Sequence, residues 1–126
     1  MALDAISHLQ RSGHTVYIDD FGTGYSSLAY LHQLAADAIK IDRTFTHTVC
    51  TEAVTASVVP QILDIARRLE LLVVVEGIET REQADYFRHA GGGILAQGWF
   101  FGRPVPVGEF RKRIEEQRSQ RQIGAL

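Results

Sequence analysis

The sequence predicts an α/β fold in which four parallel strands are covered by helices. Helical and strand patterns alternate along the chain, and no hairpin pattern joins any two strands. The 126 residues are 45% hydrophobic and 22% charged, a composition typical of one globular unit with a single core. We expect four β/α units over residues 1–110 and a charged helix or tail over residues 111–126.

The first third of the chain predicts two helix–strand pairs. Leu3, Ile6 and Leu9 lie at three-residue intervals, which indicates one apolar helix face, and Gly13 is a natural helix stop. The elements expected here are a helix from Ala2 to Ser12, a strand from Val16 to Ile18, a helix capped by Ser26 or Ser27 that carries Leu28, Leu31 and Leu34, and a strand from Ala38 to Ile41.

The rest of the chain repeats the pattern. Thr80 and Gln83 have capping-box spacing, and Gly91 is placed to end the helix that they begin. The elements expected here are a helix from Val54 to Leu69 with Pro60 in its first turn or at a kink, a strand from Leu71 to Val75 buried on both faces, a helix from Thr80 to Gly91, a strand from Ile94 to Gln97, and a surface helix from Phe110 to Gln122.

Charge and composition exclude several classes of function. The formal charge of -2 gives no electrostatic footprint for a nucleic acid polymer. No apolar run approaches the roughly 20 residues of a membrane span, so we expect no membrane contact by this chain itself. Cys50 is the single cysteine, which suits a reducing, cytoplasmic compartment, and a membrane-anchored sensor would have its anchor outside this chain.

Polar side chains follow all four predicted strands. The carboxyl ends of parallel strands share one edge of a sheet or barrel, where ligand sites of such folds are built. We therefore expect these residues to converge: Asp19 and Asp20 after the first strand, Lys40 and Asp42 at the second, Glu76 and Glu79 after the third, and Gln97 at the fourth.

An acidic cluster of this kind suits a hard divalent cation. Like carboxylates repel one another, and oxygen ligands favour Mg²⁺, Mn²⁺ or Ca²⁺ over zinc. The pair Asp19–Asp20 before Gly22 is also ordinary turn chemistry, which is the competing interpretation. Lys40 could pair with an acid or place a water or an anionic oxygen, and the two roles are compatible. None of the five histidines, at positions 8, 14, 32, 47 and 89, lies at a predicted strand end.

Two further features have a structural and a functional interpretation. Gly22 and Gly24 permit a tight turn or a close approach to a ligand, and they lack the third glycine of a dinucleotide fingerprint. The aromatic run from Trp99 to Phe101 favours core or rim packing, with stacking on a base as the alternative.

Four segments, in order, resemble one known family. The segments YIDDFGTGYSSLAYL, IKIDRTF, VVVEGIET and QGWFFGRP are similar to the second half of the EAL domain, the bacterial family of cyclic di-GMP phosphodiesterases. The resemblance covers residues 1 to about 110. It implies half of a TIM-like (β/α)₈ barrel in which one strand of the whole is antiparallel.

The resemblance also implies a reaction and a role for each residue. The family opens cyclic di-GMP to linear pGpG with two Mg²⁺ or Mn²⁺ ions. The implied roles are that Asp19 bridges the metals, Asp20 ligates one, Asp42 supports the second, Glu76 is a further carboxylate of the site, Lys40 holds the attacking water, Glu79 steadies the loop that begins at Asp19, and Gln97 and the stretch to Pro104 lie beside the metals and the guanine pocket.

The chain also departs from the family pattern. Nothing in it corresponds to the Glu-Ala-Leu signature or to the Asn and Glu ligands of the first half, and Gly91, Gly92 and Gly93 replace less flexible residues. A whole barrel takes about 250 residues. We therefore expect a half-domain that is inactive alone and completes its sheet by forming a homodimer or by exchanging elements between copies. The alternatives are a non-catalytic nucleotide-binding or dimerisation module, and a different metal-dependent barrel hydrolase, which the fourfold match disfavours.

Overall fold

A four-stranded parallel sheet forms the centre of the structure, as the sequence predicts. The computed structural model describes residues 2–22 and 34–123. The strands are β1 (Tyr17–Phe21), β2 (Ala38–Ile41), β3 (Leu72–Val75) and β4 (Leu95–Ala96), and they lie side by side in chain order. The helices are α1 (Ala2–Arg11), α2 (Arg43–Thr46), α3 (Val58–Arg68), α4 (Arg81–Ala90) and α5 (Val107–Ile123), with a 3₁₀ turn over Val54–Ser57.

One face of the sheet carries the hydrophobic core. Ile39 and Ile41 of β2 and Val73 and Val75 of β3 are buried on this face. They pack with apolar residues of two helices, namely Val59, Ile62, Leu63 and Ala66 of α3 and Ala84 and Phe87 of α4. Burial of each large side chain stabilises the fold by about 1.5–3 kcal/mol, so this face fixes the position of the strand ends.

The opposite face of the sheet is only partly covered, which corrects one prediction. The apolar run before Glu76 predicts a strand buried on both faces, but Leu72 is 45% exposed and Val74 is half-buried. Tyr17 and Leu95, on the neighbouring strands, are 42% and 54% exposed. Successive residues of a strand point to opposite faces, so these exposed side chains lie on the face opposite the core. Among the described residues, no helix covers this face as α3 covers the core face.

The helices agree with the sequence pattern at most positions. The expected helix from Val54 to Leu69 is divided into the 3₁₀ turn and α3, with Pro60 in the first turn of α3. Thr80 and Gln83 form both bonds of the expected capping box. Short helix α2 lies in a stretch for which the sequence predicts no element.

Two more helices are predicted from the sequence, one near Ser26 and one at the C-terminal end. The helix predicted to begin at Ser26 or Ser27 lies outside the described residues. The surface helix predicted from Phe110 to Gln122 is α5, which begins three residues earlier, at Val107. Among the described residues, no helix is both long and apolar enough to cross a membrane.

Candidate functional site

An irregularity in β1 places two adjacent carboxylates beside one lysine. Ile18 pairs with Ile39 and Phe21 pairs with Ile41, so Asp19 and Asp20 together face the single residue Lys40. Asp20 has a φ of 51°, in the left-handed region. Such bulges redirect side chains that strict alternation would send to opposite faces. The two acids therefore lie within the strand, which extends to Phe21, and not after it as the sequence predicts.

Carboxylates from two strands meet at this point. One oxygen from each of Asp19, Asp20 and Glu76 lies within 4.8 Å of the other two. Lys40 Nζ lies 3.0 Å from Asp19 Oδ1 and 2.5 Å from Glu76 Oε1. The amide Nε2 of Gln97 donates to the same Glu76 oxygen at 3.0 Å. The predicted convergence of strand ends is thus present for these five residues.

Lys40 controls the electrostatics of the cluster. The hydrogen bonds that its ammonium donates, first to Glu76 and then to Asp19, raise the pKa of Lys40. The same contact with Lys40, followed by the backbone N–H of Asp20, lowers the pKa of Asp19. The side chains of Lys40 and Glu76 are only 24% and 21% exposed, whereas Asp19 is 62% exposed. The cluster therefore has a sheltered side and an open side.

Asp42 caps the helix that follows β2. It is the N-cap of α2, and its Oδ1 accepts from the backbone N–H of Thr44 at 2.8 Å and from the Thr44 hydroxyl. These two bonds lower its pKa. Among the described residues the group of mutually close carboxylates does not include Asp42, although its charge acts on Asp19 and raises the pKa of that acid against the effect of Lys40.

A cavity of about 900 Å³ adjoins the acidic cluster. Glu76, Glu79, Gln97 and Pro104 line it, which brings the remaining site residues predicted from the sequence to one place. The carboxylate of Glu79 also lies 3.7 Å from His47 Nε2. The predicted residues therefore divide into an acidic cluster and the wall of a neighbouring cavity.

The aromatic run borders this cavity and does not belong to the core. Trp99 and Phe101 line the cavity and are 59% and 56% exposed, so of the expected core or rim packing only a position at the rim agrees with the structure. The guanidinium of Arg103 lies 4.5 Å from the centre of the Trp99 ring, in a cation–π contact. Phe101 packs edge-on against Phe100.

Glycines hold the backbone of the site in place at two points. Gly22 ends the bulged segment with a φ of 97°, and a Cβ there would lie 2.7 Å from the Phe45 ring. The close approach of backbones thus explains Gly22, while Gly24 lies outside the described residues. At Gly98 a Cβ would lie 2.1 Å from the carbonyl oxygen of Ile78, so Gly98 lets the chain after β4 pass directly over the chain after β3.

Three arginines also line the cavity, and the sequence analysis gives none of them an individual role. Arg43, Arg103 and Arg113 come from α2, from the stretch after β4 and from α5. Arg43 and Arg103 lie in two of the four quoted segments, and Arg103 belongs to the stretch to Pro104 that is expected beside the site. Arg113 lies in the charged C-terminal helix, so only the packing of that helix reveals that it shares this wall. The cavity therefore combines acidic, cationic and aromatic side chains.

Comparison with known proteins gives consistent matches. The EAL domain model matches residues 1–104. The probable cyclic di-GMP phosphodiesterase PdeB of Escherichia coli K12 is 40% identical over 111 residues, which cover 88% of this chain and 20% of PdeB. The c-di-GMP complex of the PaMucR phosphodiesterase matches with a TM-score of 0.78 at 38% identity, over 86% of this chain and 43% of that one.

A manganese and cyclic di-GMP complex of Klebsiella pneumoniae BlrP1 matches with a TM-score of 0.71 at 31% identity. The match covers 81% of this chain and 26% of BlrP1. The chain thus spans about a fifth of the length of PdeB and less than half of either solved chain.

Proposed function

The chain belongs to the EAL domain family, and from that premise we propose that its acidic cluster binds divalent cations and serves the hydrolysis of cyclic di-GMP to linear pGpG. One observation carries the proposal: Asp19, Asp20 and Glu76 each bring an oxygen within 4.8 Å of the others, beside Lys40. An all-oxygen donor set fits Mg²⁺ or Mn²⁺. The manganese complex of BlrP1 supports the same class of ion.

The proposed roles join the positions of the side chains to the roles that the family resemblance implies. Asp19, Asp20 and Glu76 hold the cations, and Asp42 supports the second of them from the N-terminus of α2. When bound, such cations polarise a phosphoryl group and lower the pKa of a water. Lys40 orients that water, because its ammonium already donates to two carboxylates of the cluster.

The cavity residues have supporting roles in this proposal. Gln97 fixes the orientation of Glu76 through its 3.0 Å hydrogen bond. Glu79 steadies the segment that begins at Asp19, and Pro104 forms part of the cavity wall, on which a guanine base rests. The exposed ring of Trp99 is available for base stacking on the same wall.

The isolated chain is proposed to bind nucleotide without turning it over. The described acidic cluster contains three carboxylates, two of them from a single strand. A two-metal centre holds its ions between ligands on several sides, and the Asn and Glu ligands expected by resemblance have no counterpart in this sequence. Cyclic di-GMP should therefore bind weakly and remain intact.

The exposed face of the sheet supports a proposed homodimer. Tyr17, Leu72 and Leu95 form an apolar surface that water would otherwise contact, and β1 and β4 have unpaired edges in the described sheet. A second copy of the chain would cover this face. Analytical ultracentrifugation that shows a compact monomer at micromolar concentration would refute this part.

A second candidate function rests on the contacts of Lys40. Its ammonium touches the Asp19 and Glu76 oxygens that a cation would use, so the cluster is partly neutralised without metal. This arrangement favours a non-catalytic nucleotide-binding or dimerisation module as the alternative.

Two measurements on the purified chain separate the candidates. Calorimetry with cyclic di-GMP, with and without Mn²⁺, measures binding, and chromatography of the same mixtures measures pGpG. We expect binding that depends on the metal. Asp19→Asn should abolish it, and the control Asp64→Asn, which changes a carboxylate of α3 outside the acidic cluster, should leave it unchanged. Formation of pGpG by the wild-type chain, abolished by Asp19→Asn, would overturn the proposed inactivity of the isolated chain. Cyclic di-GMP binding of equal affinity with and without Mn²⁺ would favour the non-catalytic module. If neither nucleotide nor metal binds, the proposal fails.

A further inference from the structure

Helix α5 lies outside the family match and still reaches the cavity. The EAL domain model ends at residue 104, whereas α5 spans Val107–Ile123. Phe110 and Arg113 of α5 line the same cavity as Glu76 and Gln97. This wall of the cavity therefore lies beyond the residues that the EAL domain model matches.

Core packing does not explain this helix. Of the residues of α5 whose side chains are described, Ile114 alone is half-buried, and the others are exposed. The sequence of α5 has no apolar stripe, and a helix that is polar all round gains little from burial. Phe110, Arg113, Ile114 and Gln117 of α5 line the cavity, and Arg113 is the one charged side chain among them.

The position of Arg113 suits a ligand contact. Its Nη1 lies 3.5 Å from the point where a Cβ on Gly102 would stand, so the guanidinium rests against the backbone of the cavity wall. Within the described residues its side-chain partner is Glu109, at 2.5 Å from Nη2 and one turn earlier. A guanidinium has five N–H donors, and this single contact leaves donors for another anion.

We propose that Arg113 binds the second phosphate of a dinucleotide whose first phosphate lies at the acidic cluster. The inference rests on the proposed function and extends it to substrate recognition. Cyclic di-GMP and pGpG each carry two phosphates, and the cations of the cluster can neutralise only the one beside them. The forked donors of arginine match phosphate geometry better than a lysine does, and Arg113 brings such a fork to the shared cavity.

The test compares ligands with one and two phosphates. Calorimetry in saturating Mn²⁺ measures the Kd of cyclic di-GMP, pGpG and GMP for the wild-type chain, Arg113→Ala and Arg113→Lys. We expect Arg113→Ala to raise the Kd of both dinucleotides about tenfold and to leave that of GMP within about twofold. Arg113→Lys should be intermediate, because it keeps the charge and loses the fork.

Two control variants isolate the effect of Arg113. Arg118→Ala removes an arginine from the same helix that does not line the cavity, so all three Kd values should stay unchanged. Glu109→Gln removes the ion pair of Arg113 without removing its donors and should cause no loss of affinity. Circular dichroism of each variant checks that α5 keeps its helical content.

The outcomes distinguish this inference from the proposed function. If the wild-type chain binds none of the three nucleotides, the proposed function fails and this inference fails with it. If the wild-type chain binds dinucleotides and Arg113→Ala binds them equally well, the role of Arg113 is wrong and the proposed function stands. An equal loss for GMP and cyclic di-GMP would also overturn the assignment to the second phosphate.

Discussion

Replacing Gly98 with alanine tests whether the strand ends of the site are packed as described. The added Cβ would lie 2.1 Å from the carbonyl oxygen and 2.3 Å from the nitrogen of Ile78. Real Cβ contacts are essentially never under 3.0 Å, so one backbone must move by about 0.9 Å. Both neighbouring atoms belong to the main chain, and rotation of a side chain cannot relieve the clash.

The loss in free energy of unfolding can be estimated from two backbone hydrogen bonds of Ile78. Ile78 N donates to Gln97 O at 3.1 Å, and Phe100 N donates to Ile78 O at 3.0 Å. Loss of both bonds costs about 1–3 kcal/mol, and overpacking adds about 1–3 kcal/mol. We therefore expect Gly98→Ala to lower the free energy of unfolding by roughly 2–6 kcal/mol, which corresponds to a fall in Tm on the order of 10 °C.

Urea unfolding followed by circular dichroism measures this change, with Gly108→Ala as the matched control. No atom lies within 4 Å of a Cβ added at Gly108, and alanine is preferred to glycine in a helix by up to about 1 kcal/mol. The control should therefore be neutral or stabilising. If Gly98→Ala costs less than about 0.5 kcal/mol, a value within the range of neutral surface changes, the close packing at Ile78 is wrong.

Three further changes test other parts of the structure. The backbone N–H of Val16 lowers the pKa of Asp37 below its ordinary value of 3.8. The ionised carboxylate therefore stabilises the fold above that pH, and this stability is lost as the pH falls through the lowered pKa. Urea unfolding at several pH values should show that wild type and Asp37→Asn differ in free energy of unfolding near neutral pH and become equal in acid. Thr80→Ala removes the cap of α4 and should cost about 1 kcal/mol in urea unfolding, whereas Thr80→Ser should cost little. Lys40→Met should tighten Mn²⁺ binding severalfold in calorimetry, because the ammonium no longer holds the carboxylates; weaker binding would contradict this competition.

Local patterns explain why much of the fold could be predicted from the sequence. β2 has the predicted bounds, Ala38 and Ile41, because the strand pattern ends at Asp42, which caps the following helix. The capping box of Thr80 and Gln83 depends only on residues three apart. The parallel order of the strands follows from the alternation of elements, since a crossover helix is needed between parallel neighbours.

Features that depend on pairing partners could not be predicted in this way. Alternation along a strand sends Asp19 and Asp20 to opposite faces, and only the register with Ile39 and Ile41 reveals that both acids face Lys40. Likewise, the apolar run at Leu72 shows that both faces of β3 are apolar. It carries no information about whether anything covers the second face.

The charge of the cluster leads to a last expectation about its metals. Asp19, Asp20 and Glu76 carry a formal charge of -3 and Lys40 carries +1, so the cluster has a net charge of -2. One divalent cation neutralises it, and a second would leave an uncompensated positive charge unless an anion enters with it. Calorimetry should therefore find one tight Mn²⁺ per chain without nucleotide and a second only with cyclic di-GMP, whose phosphate supplies the anion. Two tight ions in the absence of nucleotide would contradict this charge balance, and loss of one of them in Asp42→Asn would show that Asp42 contributes to holding it.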